Sequence, residues 1–133
     1  AVSTMSENEF IRSVLEEADC DLHLDVNNVY VNSINFGFDP WRFITNLPIE
    51  RVVYLHVAGH YREADNLIID THGADVIDPV WQLLDHTYDL IGTPPTLLER
   101  DFNIPALPEL LLEVEKICAT QLRHKETAHA CVA

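Results

Sequence analysis

Positive charge is what this sequence has least of. Eight Lys and Arg stand against 22 Asp and Glu, for a formal net charge of −14. Binding to a phosphate backbone needs a basic face, and so does docking on an anionic membrane, so no nucleic-acid partner and no membrane partner is expected. No apolar run approaches the roughly 18 residues of a membrane span. The opening, AVSTMSENEF, has no basic segment leading into an apolar one, so no signal peptide is expected. Its only methionine is Met5, and it reads as a cut within a longer protein. Cysteine is scarce too. Cys20, Cys118 and Cys131 are an odd number without CxxC spacing, which argues against a disulfide framework and a zinc–thiolate site and points to a reducing, cytoplasmic compartment. No G-x-G-x-x-G, Walker A or G-x-S-x-G motif occurs, so nucleotide-binding and serine-hydrolase chemistry have no support.

What is present is enough for one packed domain: 133 residues, 47% hydrophobic. SENEFIRSVLEEAD predicts a helix with a capping box, Ser6 and Glu9 closing its first turn. Residues 21–26 predict a strand that ends in a polar loop at Asn27-Asn28. Asp39-Pro40 starts a second helix, and Asp78-Pro79 starts a third that stops before Gly92. RVVYLHV predicts a strand, NLIIDTH a second short extended piece, and TLLERD a last strand. PELLLEVEKICATQLR predicts the final helix, and residues 124–133 a disordered tail that takes in His124, His129 and Cys131. Strands that alternate with helices in this way predict an α/β fold with a parallel sheet.

Every predicted strand ends in a residue that can hold a metal. Asp25 ends the first, with Asn27 and Asn28 just beyond; His56 ends the second, with His60 beyond. Asp70 and His72 end the short extended piece, at i and i+2; Glu99 ends the last, followed by Arg100 and Asp101. Parallel α/β proteins build sites at the carboxyl ends of adjacent strands, which lie about 4.8 Å apart. Several carboxylates gathered there repel one another unless a cation joins them. The donors are imidazole, carboxylate and carboxamide without thiolate, a set that suits iron, manganese or catalytic zinc, in one ion or two. His60 is read as a loop residue near His56, since HVAGH lacks the glutamate of HEXXH and Gly59 argues against a helix. His23, within the first strand, alternates with Asp25 and is not taken as a ligand, while Tyr30 either lines a pocket or packs a loop.

LDVNNVYVNSINFGFDP, HVAGH, LIIDTHGADVIDPVW and PTLLERDFNIP, in this order over residues 5–118, resemble the multinuclear non-haem iron-dependent oxidases, the MbnB-like enzymes of methanobactin biosynthesis among them. The resemblance implies a TIM-type (β/α)8 barrel of the xylose-isomerase-like kind, with two or three iron ions at the carboxyl face of its strands. It implies oxidation of cysteines in ribosomally made peptides by O2, and a small partner protein that recruits the leader of the precursor peptide. It places ligands at Asp25, Asn28, His56, Asp70, His72 and Glu99. Their sequence neighbours Asn27, His60, Arg100 and Asp101 are candidates for supporting residues. Members of that family are about twice as long, as expected of a barrel of roughly 250 residues. Residues 1–123 therefore correspond to the second half of the barrel, and the first half, or a second copy of this chain, has to supply the remainder. A metal-dependent isomerase or endonuclease on the same fold, and a non-catalytic interaction module, are the alternative readings.

Overall fold

The computed structural model describes the backbone of residues 4–130 and the side chains of residues 4–126. Helix α1 spans Glu7–Ala18, and its capping box forms as the sequence predicts: Ser6 Oγ accepts from the Glu9 N–H while the Ser6 N–H donates to the Glu9 carboxylate at 2.7 Å. Strand β1, Leu22–Asp25, follows, and helix α2, Val26–Phe36, comes directly after it. Here the chain departs from the expected polar loop. The Asp25 carboxylate accepts the Asn28 N–H at 2.8 Å and caps α2, whose residues Val26, Val29 and Ser33 are buried at helical spacing.

Helix α3, Pro40–Thr45, is capped by Asp39 as expected, through the N–H groups of Trp41 and Arg42. Strand β2, Val52–Ala58, leads into an antiparallel hairpin of β3, Tyr61–Ala64, and β4, Leu67–Ile69. Helix α4 spans Asp78–Ile91; Ile77 takes its N-cap position without a side-chain bond, and Asp78 stands inside the first turn instead of capping it. Strand β5 is Thr96–Glu99 and helix α5 runs Leu107–Ala130, past residue 123 into the stretch expected to be a tail. The His129 side chain and Cys131 lie outside the described residues.

The main sheet is entirely parallel, in the order β1-β2-β5. The extended piece expected as a further strand of this sheet is β4, and it pairs with β3 alone. On one face of the sheet Leu55 and Val57 are fully buried among Val26, Ile44, Val80 and Leu84 of the helices, and this is the core. Burying a side chain of that size removes apolar surface worth roughly 1.5–3 kcal/mol. The other face carries the polar side chains of β1, β2 and β5. A parallel sheet with helices outside and polar strand ends inside is part of a TIM-type barrel, here an open arc of three strands. Among the described residues no helix is long and apolar enough to cross a membrane.

Candidate metal centre

The strand register assembles the centre. Asp25 on β1 lies beside His56 on β2, and Glu99 at the end of β5 lies beside Ala58, two residues beyond His56. Side chains at matched heights on parallel neighbours leave the sheet on the same side, so these three converge. His56 Nδ1 is 2.9 Å from Glu99 Oε2 and 3.8 Å from Asp25 Oδ2.

Asp70 and His72 arrive by a different route from the one their sequence suggests. They follow the hairpin strand β4 and do not end a strand of the main sheet. The hairpin is tied to α2 by the Asn35 carboxamide, which accepts the Ile68 N–H and donates to the Ile68 carbonyl, both at 2.8 Å. Ile68 is buried, so β4 is fixed two residues before Asp70. His72 has φ 50, a left-handed conformation that few residues without a glycine's freedom adopt, so the run is bent and not extended there. Such backbone costs of order 1–3 kcal/mol and persists only where its surroundings enforce it. Here the His72 carbonyl accepts the Asp101 N–H at 2.9 Å, and Asn103 Nδ2 donates to the Gly73 carbonyl at 3.0 Å.

That bend sets the His72 ring among four carboxylates. Nε2 faces Asp70 at 3.0 Å and Asp25 at 4.0 Å; Nδ1 faces Glu99 at 3.4 Å and Asp101 at 3.3 Å. Asp25, His72 and Glu99 each offer a ligand atom within 4.8 Å of the others. His72 Nε2 is buried and makes no hydrogen bond, although an Asp70 oxygen lies 3.0 Å away. A buried polar atom without a partner is costly, and this one is aimed among carboxylates, which is what a cation ligand requires.

The electrostatics agree. Burial raises the pKa of Asp25, the Asn28 N–H opposes that, and the neighbouring Asp70 charge adds to it. Burial works against a charged His72, but Asp70, Glu99, Asp25 and Asp101 together outweigh it and its pKa is raised. Asp25 and His72 thus hold protons more firmly than they would in water.

Asn28 reaches the cluster through nitrogen: its Nδ2 donates to Asp70 Oδ2 at 3.1 Å, and its oxygen accepts from Asn32. Ligation by Asn28 requires a half-turn of the carboxamide, which exchanges the two atoms. Asn27 is fully buried and joins Asp70 to His60. His60 is buried as well and stacks on Tyr30, so Tyr30 packs against this ring; burial first, then Arg62, lowers the His60 pKa. Asp101 touches His72 directly. Arg100 does not join the group: strand alternation turns it to the other face, where it donates to Asp75 at 2.7 Å and Glu113 at 3.0 Å. Glu113 also accepts the Val76 N–H, so Arg100 helps hold the segment after His72 and supports no ligand directly. His23 packs edge-on against His56, ring centroids 4.0 Å apart.

A family model described as RiPP precursor modification enzyme MbnB/TglH/ChrH matches residues 1–122. A UPF0276 protein of Nitrosospira multiformis is 65% identical over 129 residues, 97% of this chain and 46% of that protein. A UPF0276 protein of Shewanella sediminis is 60% identical over 113 residues, 85% of this chain and 41% of that protein. One of Pseudomonas aeruginosa is 57% identical over 122 residues, 92% and 43% respectively. The chain spans less than half the length of these relatives.

Proposed function

The chain belongs to the MbnB/TglH/ChrH family of RiPP precursor modification enzymes, and from that premise we propose that it carries part of the metal centre of an iron-dependent oxidase that modifies cysteines of ribosomally made peptides with O2. Asp25, His56, Asp70, His72 and Glu99 hold two or three iron ions, with Asn28 completing the set; manganese or zinc suits the same donors. Bound iron supplies the one-electron chemistry that couples a peptide thiolate to O2. The chain's own residues orient and proton-load the site. Glu99 faces His56 Nδ1 and Asp101 faces His72 Nδ1, contacts that hold the two rings in place. Asn27 holds one oxygen of Asp70, and Asn28 holds the other until its carboxamide turns to ligate.

Among the described residues β1 and β5 pair only with β2. In this reading the remainder of the barrel comes from the N-terminal half of a longer polypeptide or from a second copy of the chain. A small leader-binding protein presents the precursor peptide, and the assembly works in the reducing cytoplasm.

The observation that carries the reading is His72, whose two ring nitrogens face four carboxylates while Nε2 lacks a hydrogen bond. Metal analysis of protein purified without oxygen tests it. Bound iron that is lost in His72→Ala and Asp25→Asn is expected. Absence of iron from both this chain and a relative of full length would overturn the proposal.

A further inference from the structure

Asn27 is a polar side chain with no access to solvent at all, and nothing in capping or packing alone calls for one there. It stands in the first turn of α2, between the two residues Asp25 and Asn28 that face the metal centre. One residue along a helix is about 100° of rotation, so Asn27 points elsewhere, into the space between the hairpin and the end of β2. Its Nδ2 donates to Asp70 Oδ1 at 2.6 Å, and its Oδ1 lies 2.8 Å from Nδ1 of His60. His60 is 7% exposed and lies against Tyr30, centroids 5.4 Å apart and planes 27° from parallel.

Donor and acceptor accounting leaves one arrangement. A carboxylate only accepts, so the Asn27 amino group must face Asp70. The Asn27 oxygen then faces His60 and can only accept, so His60 Nδ1 carries the hydrogen. Neither amide end can turn without leaving a buried group unpaired, which costs about 1–3 kcal/mol. The Tyr30 face keeps the imidazole from swinging away.

We infer that Asn27 is a positioning residue for Asp70: its buried carboxamide, locked by His60 as the Nδ1–H tautomer, sets the direction in which Asp70 presents its oxygens to the cation. This rests on the metal-centre reading for its purpose, though not for its geometry. Asn28 grips the other Asp70 oxygen from the exposed side, so Asn27 supplies the grip that solvent cannot compete for. Outer partners that orient a ligand are typically worth 10- to 100-fold in metal affinity.

Two measurements on the 133-residue chain test the inference. Long-range proton–nitrogen NMR on the metal-free chain reads the His60 tautomer. The Nδ1–H form is expected, and the Nε2–H form overturns the inference whatever the metal does. The second is Mn2+ affinity in a double-mutant cycle of Asn27→Leu and Asp70→Asn. Asn27→Leu is expected to weaken Mn2+ binding about 10- to 100-fold in the native background and to add nothing once Asp70 is replaced. Equal losses in both backgrounds mean that Asn27 acts by general packing, which refutes the proposed role. Should Asn27→Leu fail to fold, His60→Phe keeps the ring against Tyr30, frees the amide and is expected to weaken Mn2+ binding in the same Asp70-dependent way. A native chain that binds no Mn2+ counts against the metal centre instead, and the tautomer still decides the case of Asn27.

Discussion

His72 shows what a single residue contributes and how its titration reports on the site. Its pKa is raised because four carboxylates outweigh its burial, and that of Asp25 is raised chiefly by burial. Both groups therefore bind protons more tightly in the folded chain than in the unfolded one. The stability they lend is complete below their unfolded pKa values and is lost as pH rises through the folded ones. A divalent cation replaces those protons. Mn2+ is accordingly expected to raise the unfolding temperature of the chain more at about pH 8 than at about pH 5.5, with apparent affinity changing about tenfold per pH unit for each proton released. A larger thermal shift at the lower pH would contradict this assignment of the cluster. Asp25, His56, Asp70, His72 and Glu99 were legible in the sequence because each follows an apolar run. The left-handed bend at His72 was not, since its cause is the Asp101 N–H and the Asn103 side chain, some thirty residues away in the chain.

At the scale of the element, the end of β2 explains the glycine of HVAGH. A methyl group on Gly59 would overlap the backbone carbonyls of Ala74 and Asp75, and backbone cannot move aside as a flexible side chain can. Gly59→Ala is expected to cost about 3 kcal/mol or more in urea unfolding and to weaken metal binding as well, because Ala74 is two residues from His72. A variant as stable as the native chain would show that this segment is not pinned. Two elements escaped the sequence reading for physical reasons. Asn27-Asn28 after a short strand has the chemistry of a turn, yet Asp25 caps a helix there. The helical spacing of Asn28, Asn32 and Asn35, all of which point polar side chains to partners along one side of α2, was the available signal. Strand β3, exposed throughout, has no apolar alternation to betray it and is defined only by its pairing with β4.

The whole molecule carries a charge of −14, and its compact state works against its own repulsion. Raising NaCl from about 0.02 M to about 0.5 M is expected to raise the unfolding temperature by a few degrees as that repulsion is screened. A fall would mean that exposed ion pairs such as Arg51–Asp19 and Arg123–Asp85 matter more than the net charge. The parallel direction of the strands in the main sheet was legible from the alternation of strands and helices. Its width was not, because an extended segment carries no mark of which partner it will choose, and β4 chose β3. Asp25, His72 and Glu99 come from three segments remote from one another along the polypeptide. An ion shared by them is a reversible cross-link that closes two long loops at once, so chelation takes away loop-closure entropy as well as bonds. The lifetime of the folded chain would then be timed by ion release.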